Sequence, residues 1–272
     1  MILLIPLGGV GVRFAKHGYK QPKALIRVMG KPILYWLLDN LPIHDTTSFR
    51  SKHMVYIPYN KAYVEYRFES MLRKQYPHVD FEFFCLKENT RGAAETIFLS
   101  LCHLETKNIS KDQPILCLDG DNFYTYDIVS QWNGENSVFT FYDLQETPIY
   151  SYVTIEENSQ RITNMVEKER ISNIACTGAY GFESWIELKS YCQYILDNKI
   201  QQKGEYYTST VIQEMLKKQT TFWNKTVDRK HYVCLGTPMQ VRLFCHNYPR
   251  YSSLDNEKKI QSKKYCFDLD NT

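Results

Sequence analysis

An apolar run from Ile2 to Leu7 empties into Gly8-Gly9-Val10-Gly11-Val12-Arg13-Phe14, and Gln21-Pro22-Lys23-Ala24-Leu25 follows shortly after. Glycines directly past a strand let the backbone approach a polyphosphate closely, and their N–H groups offer donors to its oxygens. Arg13 and Lys23 then supply positive charge that backbone donors alone cannot match. The glycines by themselves would serve a plain turn equally well, with Arg and Lys in solvent. A dinucleotide fingerprint also begins at Gly9-Val10-Gly11, but its third glycine is replaced by Phe14. That side chain would hold helix and strand apart, and no acidic residue closes a second strand to take a ribose. A second acidic-glycine turn, Asp119-Gly120-Asp121, ends the apolar run Ile115 to Leu118. It falls at the carboxyl edge of a strand, where open α/β sheets bind ligands.

The elements that must position these groups follow from periodicity. Strands are expected at Ile2 to Leu7, His53 to Tyr59, Val79 to Leu86 and Ile115 to Leu118. Helices are expected between them at Pro32 to Leu41, Lys61 to Gln75 and Arg91 to Leu104. This alternation is that of a parallel, doubly wound half. The second half changes character, with strands at Ser137 to Tyr142, Tyr150 to Glu156, Arg161 to Glu167 and Ala175 to Phe182, close enough for some antiparallel pairing. Helices at Glu183 to Lys199 and Thr208 to Lys218, strands at Thr220 to Val227 and His231 to Leu235, and a helix from Pro238 to Asn247 complete it. The fold class expected is α/β: a Rossmann-like, mixed and mostly parallel sheet flanked by helices in three α/β/α layers.

Composition narrows the function classes. The 272 residues are 43% hydrophobic and 23% charged, which supplies a core and excludes disorder as the dominant state. The 33 basic and 30 acidic residues leave a net charge of +3, too small and too scattered for a nucleic-acid footprint. The eight cysteines are dispersed, form no CxxC, and mostly adjoin apolar residues, as buried free thiols do in a reducing compartment. The opening run lacks a basic leader, and no segment has the length of a membrane helix, so a cytoplasmic protein without membrane partners is expected.

Taken together, the motifs resemble those of the nucleotidyltransferases that activate sugar 1-phosphates, the pyrophosphorylase superfamily. The loop Gly8 to Phe14 with Pro22-Lys23-Ala24-Leu25 is similar to its GGxGxR(F/L)…PKxL signature, and Val28-Met29-Gly30-Lys31-Pro32-Ile33-Leu34 to its following helix start. Thr90-Arg91-Gly92-Ala93-Ala94-Glu95-Thr96 resembles the base-contacting turn, and Leu118-Asp119-Gly120-Asp121-Asn122 the metal-binding turn. Val166-Glu167-Lys168 with Thr177-Gly178-Ala179-Tyr180-Gly181-Phe182 resembles the sugar-site segment. Gly204-Glu205-Tyr206-Tyr207-Thr208-Ser209 and Leu235-Gly236-Thr237-Pro238 resemble the two later turns. The likeness covers residues 1 to 247 in the family's order.

The resemblance implies a nucleotidyltransferase that joins a nucleoside monophosphate from a triphosphate to a sugar 1-phosphate or similar small phosphorylated acceptor. Pyrophosphate leaves, Mg²⁺ assists, and the product is an activated precursor for surface polysaccharide or glycan assembly. It implies catalytic roles for Arg13 on the pyrophosphate, for Lys23 between the α-phosphate and the attacking phosphate, and for Asp121 as metal ligand. Nucleotide contacts would come from Leu7, Gly8, Gly9, Gly11, Val12, Lys87, Gly92, Ala93, Asp119 and Gly120. Asn122, Glu167, Lys168, Gly178, Tyr180 and Glu205 would meet the acceptor. Asp119 stands either behind the metal ligand or as the cap of its turn. Tyr150, Tyr152, Tyr180, Tyr206 and Tyr207 could line a pocket or pack as half-buried strand residues. One departure is chemical: where the family carries an aspartate two residues before the final Gly-Thr, this chain has Cys234, and a thiol is a poor Mg²⁺ ligand. Two other readings stay open on these residues, a cytidylyltransferase for a non-sugar acceptor such as an amino-alcohol phosphate, and an inactive nucleotide-binding relative. Homo-oligomerisation is compatible with either.

The chain's last residues carry a separate signature. Tyr265-Cys266-Phe267 leads into Asp268-Leu269-Asp270-Asn271-Thr272, which is similar to the first motif of haloacid-dehalogenase phosphatases. There Asp268 would be the nucleophile and Asp270 the general acid and base. Residues 1–248 are therefore expected to form the nucleotidyltransferase domain, 249–264 a linker, and 265–272 the start of a truncated phosphatase-like domain that cannot act alone.

Overall fold

The computed structural model describes residues 1–44, 53–107, 109–110 and 113–251. The first half contains β1 (Ile2–Leu4), α1 (Val12–Ala15), β2 (Arg27–Val28), β3 (Lys31–Pro32), α2 (Ile33–Asn40), β4 (Met54–Asn60), α3 (Phe68–Gln75), β5 (Phe81–Leu86), α4 (Ala93–Glu105) and β6 (Ile115–Leu118). The second contains β7 (Asn122–Tyr124), β8 (Ser137–Tyr142), β9 (Ser151–Ile155), β10 (Ile162–Glu167), β11 (Ile174–Phe182), α5 (Trp185–Asp197), α6 (Thr208–Lys217), β12 (Trp223–Thr226), β13 (Tyr232–Cys234) and α7 (Pro238–Tyr251).

The expected mixed, mostly parallel sheet flanked by helices is what forms. Its order is β10-β9-β11-β6-β1-β4-β5, with β8 paired to both β11 and β12. The unit β6-β1-β4-β5 is parallel throughout, so its strands need helical crossovers and are covered on both faces. Strand periodicity divides the core accordingly. Leu3 and Ile5 pack with Trp36 of α2, Leu72 of α3 and Phe244 of α7. Ile2 and Leu4 pack on the other face with Ile97 of α4, Trp185 of α5 and Val211 of α6.

The elements depart from expectation where local chemistry intervenes. The first strand ends at Leu4 because Pro6 has no N–H to give, yet Ile5 and Leu7 still donate to Tyr56 and Pro58 at 2.9 and 2.8 Å. The helix expected over Lys61 to Gln75 breaks into a 3₁₀ turn, Lys61–Tyr66, and α3, with Arg67 between them at φ 50°. Asn60 caps that turn by accepting from Ala62, and burial of Tyr63 against Phe68 winds it tightly. The strand β12 pairs parallel with β8, because α5 and α6 intervene and allow a crossover. The short strand β7, unforeseen because it spans so few residues, pairs with β13. α7 continues past Asn247 to Tyr251, since Tyr248 packs its ring on Trp36 and Phe244. Asp268 and Asp270, with nearly all of the expected linker, lie outside the described residues.

No helix among the described residues is long and apolar enough to cross a membrane. Cys85, Cys102, Cys117, Cys176, Cys192, Cys234 and Cys245 are free thiols.

Candidate active site

The glycine loop leaves β1 at buried Leu7 and is pressed against the start of α4. A Cβ on Gly8 would overlap the Thr96 hydroxyl and come within 2.8 Å of that of Thr90, and these two hydroxyls are bonded to each other at 2.7 Å. Asn60 donates to the Gly8 carbonyl at 3.2 Å. Gly9 is open on every side, and Gly11 adopts φ 73°, which glycine tolerates best. The chain then turns into α1 with Val12 and Arg13 exposed.

Lys23 opens a 3₁₀ turn, Lys23–Leu25, where the Ala24 N–H donates to the buried Tyr63 hydroxyl. Its ammonium meets Asp121 at 2.7 Å, with side chains 32% and 14% exposed. Burial works to lower the lysine's pKa, but the charge and hydrogen bond of Asp121 outweigh it and leave it raised. Asp119 lies deeper. Burial, then the neighbouring Asp121 charge, push its carboxyl up to about 8 against the opposing pull of Lys23. Glycines make this crowding feasible: a Cβ on Gly178 (φ 84°) would overlap Asp119, and one on Gly236 would sit 2.6 Å from Asp121 Oδ2. The Asp119 N–H donates to the Gly178 carbonyl at 2.8 Å, and Leu235 donates to the Asp121 carbonyl at 2.7 Å. Gly120 packs on Leu7, linking the two loops.

A second group gathers around Glu167 at the end of β10. Its carboxylate is buried and accepts from the Ser151 hydroxyl and, at 2.8 Å, from that of Ser209. Lys168 (φ 52°) donates to the Tyr207 hydroxyl at 2.6 Å and lies 3.6 Å from Glu167 Oε1. Glu205 is exposed and joins through Gln202, whose side-chain oxygen accepts from the Glu167 N–H. Gly92 (φ 152°) packs directly on the Tyr206 backbone, where Ala94 donates to the Tyr206 carbonyl at 3.0 Å.

The structure thus brings Lys23, Asp119, Asp121 and Gly178 into one cluster, and Glu167 and Lys168 into a second. Asn122 is buried, with its amide donating to Thr177 and accepting from Tyr232. Tyr152, Tyr180 and Tyr206 are buried, while Lys87 is exposed beyond β5. Sequence reasoning missed Tyr63, Ser151 and Asn60, for which no local signal exists. Thr90 and Thr96 flank the recognised turn, and their hydroxyls at both ends of it were the available clue.

The donor set can be tested against Mg²⁺. Asp119 and Asp121 present hard carboxylate oxygens of the kind Mg²⁺ takes, and burial followed by the Asp121 charge raises the Asp119 pKa where no cation is bound. Burial and the Asp121 charge push the Cys234 thiol up to about 12, so it stays neutral and offers a hard cation nothing. Among the described residues no group of three or more His, Cys, Asp and Glu side chains could hold a metal alone. The carboxylates fit the ion in chemistry, and the remaining ligands would have to come from phosphates and water.

Comparison with known proteins gives the fold and the family. A Methanocaldococcus jannaschii protein carrying the name UTP–glucose-1-phosphate uridylyltransferase is 24% identical over 205 residues, which are 65% of this chain and 70% of that one. The nucleoside-diphosphate-sugar pyrophosphorylase structure from Vibrio cholerae RC9 superposes with a TM-score of 0.76 at 20% identity, covering 90% of this chain and 100% of the other. The inositol-1-phosphate CTP transferase of T. maritima gives 0.69 at 12% identity, covering 93% and 96%. These two share the fold. Because the nucleotidyl transferase family pattern matches residues 2–228, spanning the glycine loop, Lys23, Asp121 and Glu167, the chain belongs to the nucleotidyl transferase family.

Proposed function

We propose that this chain transfers a nucleoside monophosphate from a nucleoside triphosphate to a sugar 1-phosphate, or a similarly small phosphorylated acceptor, and releases pyrophosphate. The observation that carries the reading is the Lys23–Asp121 pair at 2.7 Å, held beside the glycine loop at the carboxyl edge of β1 and β6. A phosphate oxygen of the acceptor attacks the α-phosphorus; that P–O bond forms as the bond to the β-phosphate oxygen breaks, and the electron pair leaves with pyrophosphate. The protein has little covalent work to do, so positioning and charge neutralisation dominate.

In this reading Gly8, Gly9 and Gly11 admit the phosphates to backbone donors, and exposed Arg13 closes on the leaving pyrophosphate. Lys23 exchanges part of its Asp121 contact for the two phosphates that must approach each other. Bound Mg²⁺, held by Asp121 with Asp119 behind it, would supply further neutralisation of phosphate charge. Gly92 and Ala93 let the base lie against backbone, with Lys87 at its edge. Glu167 is set to accept hydrogen bonds from acceptor hydroxyls, and Lys168 to pair with acceptor phosphate. That combination suits an acceptor that joins hydroxyls to a phosphate, and we infer a role in making activated precursors for glycan assembly in the cytoplasm. We further propose that residues 1–248 form the nucleotidyltransferase domain, 249–264 a linker, and 265–272 the start of a separate phosphatase-like unit.

The test is pyrophosphate release from a panel of four triphosphates against hexose 1-phosphates, inositol phosphate and choline phosphate. Turnover with a sugar 1-phosphate is expected; nucleotide binding without turnover on any acceptor would assign the chain to the inactive relatives, for which Cys234 is the chemical argument.

A further inference from the structure

Away from the residues above, a cavity of about 520 Å³ opens beside the β8–β12 edge of the sheet, a size ordinary for a small-molecule site. Its lining includes Trp223, a residue 37% exposed although its backbone is fixed by donation to Asn136 at 2.9 Å. Tyr126, its ring tilted on His231 at 5.7 Å, and Phe139 also line it. Gln131 and Gln160 bring amides to the rim. The charged lining groups, Glu135 and Lys225, neutralise each other at 2.6 Å.

This lining selects a chemistry. With Lys225 paired to Glu135 the lining carries no net charge, while exposed Trp223 and the amides of Gln131 and Gln160 offer a ring face and neutral hydrogen-bonding groups. The amides and the ion pair would be stripped of water by an apolar ligand without compensation. A molecule with an apolar ring face and many hydroxyls satisfies both parts, stacking on Trp223 while exchanging hydrogen bonds with amides and carboxylate. We infer that this cavity is a binding site for a neutral saccharide, separate from the nucleotidyl-transfer site and independent of which acceptor that site takes.

The wall is built to hold its shape. Asn224, next to Trp223, is buried and bonded to Thr140, Gln160 and Thr226. Trp132 donates to the Glu135 carbonyl at 2.7 Å and so anchors the loop carrying Glu135. One lining residue also reaches the catalytic side: the Phe139 carbonyl accepts from Thr177, which in turn accepts from Asn122, the neighbour of Asp121.

The test uses the full chain and saturation-transfer NMR with glucose, galactose, maltose and lactose, backed by calorimetry. Saturable binding of at least one of these sugars is expected, undiminished by saturating nucleoside triphosphate. Trp223→Ala should weaken it roughly tenfold or more, the loss of one stacked ring, while Trp223→Phe keeps most of it. Gln131→Ala, at an exposed position, gives a second reading should Trp223→Ala unfold the edge. No saturable binding of any of the four sugars, binding that survives both Trp223→Ala and Gln131→Ala, or binding displaced by nucleotide would overturn the site.

Discussion

Lys23 and Asp121, 98 positions apart in the chain, meet at 2.7 Å between the end of the glycine loop and the end of β6. The contact holds a cation and an anion poised at the sheet edge, each able to turn to a phosphate or to a metal ion. Lys23→Ala and Arg13→Ala should each lower kcat/KM by roughly 10² or more, because each removes charge aimed at the transition state. Asp121→Asn should be comparably harmful and partly relieved by added Mg²⁺. Steady-state pyrophosphate release checks all three, and a near-normal Lys23→Ala enzyme would remove the basis of the assignment.

Gly178 and Gly204 share nearly the same backbone, φ 84° and 81°, but a Cβ at Gly178 overlaps Asp119 whereas at Gly204 it meets open space. Gly204→Ala should therefore cost only the left-handed strain, about 1 kcal/mol. Gly178→Ala should cost that and also displace Asp119, lowering activity far more than thermal stability alone explains. Equal effects of the two substitutions on turnover would contradict the placement of Asp119 in the site.

Glu167 accepts from Ser151 and Ser209 in a nearly dry setting. Glu167→Gln should raise the acceptor KM roughly tenfold while leaving the triphosphate KM unchanged. A change confined to the triphosphate would move Glu167 to the nucleotide side.

His103 stacks on Phe84 at 4.4 Å, and burial followed by the Lys107 charge lowers its pKa below 6.5 despite Glu82 nearby. The folded protein thus takes up this proton less readily than the unfolded chain. The histidine's contribution to stability is present above pH 6.5 and is lost as pH falls through its folded value. Melting of the native protein and of His103→Gln, followed from pH 8 to 5, should show the native protein losing stability relative to the variant on the acid side. A constant difference would refute the assignment.

Removing residues 252–272 should leave nucleotidyl transfer intact, because α7 packs onto Trp36 through Phe244 and Tyr248, both ahead of the cut. Loss of transfer on the deletion would make the segment an integral arm of the catalytic domain.

What the sequence determined by itself was the set of local devices: the glycine loop after an apolar run, the Asp-Gly-Asp turn after another, and the periodicities that place both at strand ends. Each depends on residues within a few positions of one another, so order and spacing are sufficient. The tertiary structure decided which of these devices meet. The pairing of Lys23 with Asp121, the hydroxyls of Ser151 and Ser209 on Glu167, and the support of the Lys23 turn by Tyr63 join residues far apart in the chain. Such contacts depend on how strands are ordered in the sheet, and periodicity carries no information about order. The same holds for β12, which reads as one more edge strand but runs parallel to β8 and carries Trp223 to the wall of a cavity. Asp119 shows the physical reason most directly, because burial and a neighbouring carboxylate, both products of the packed fold, raise its pKa above that of an ordinary aspartate.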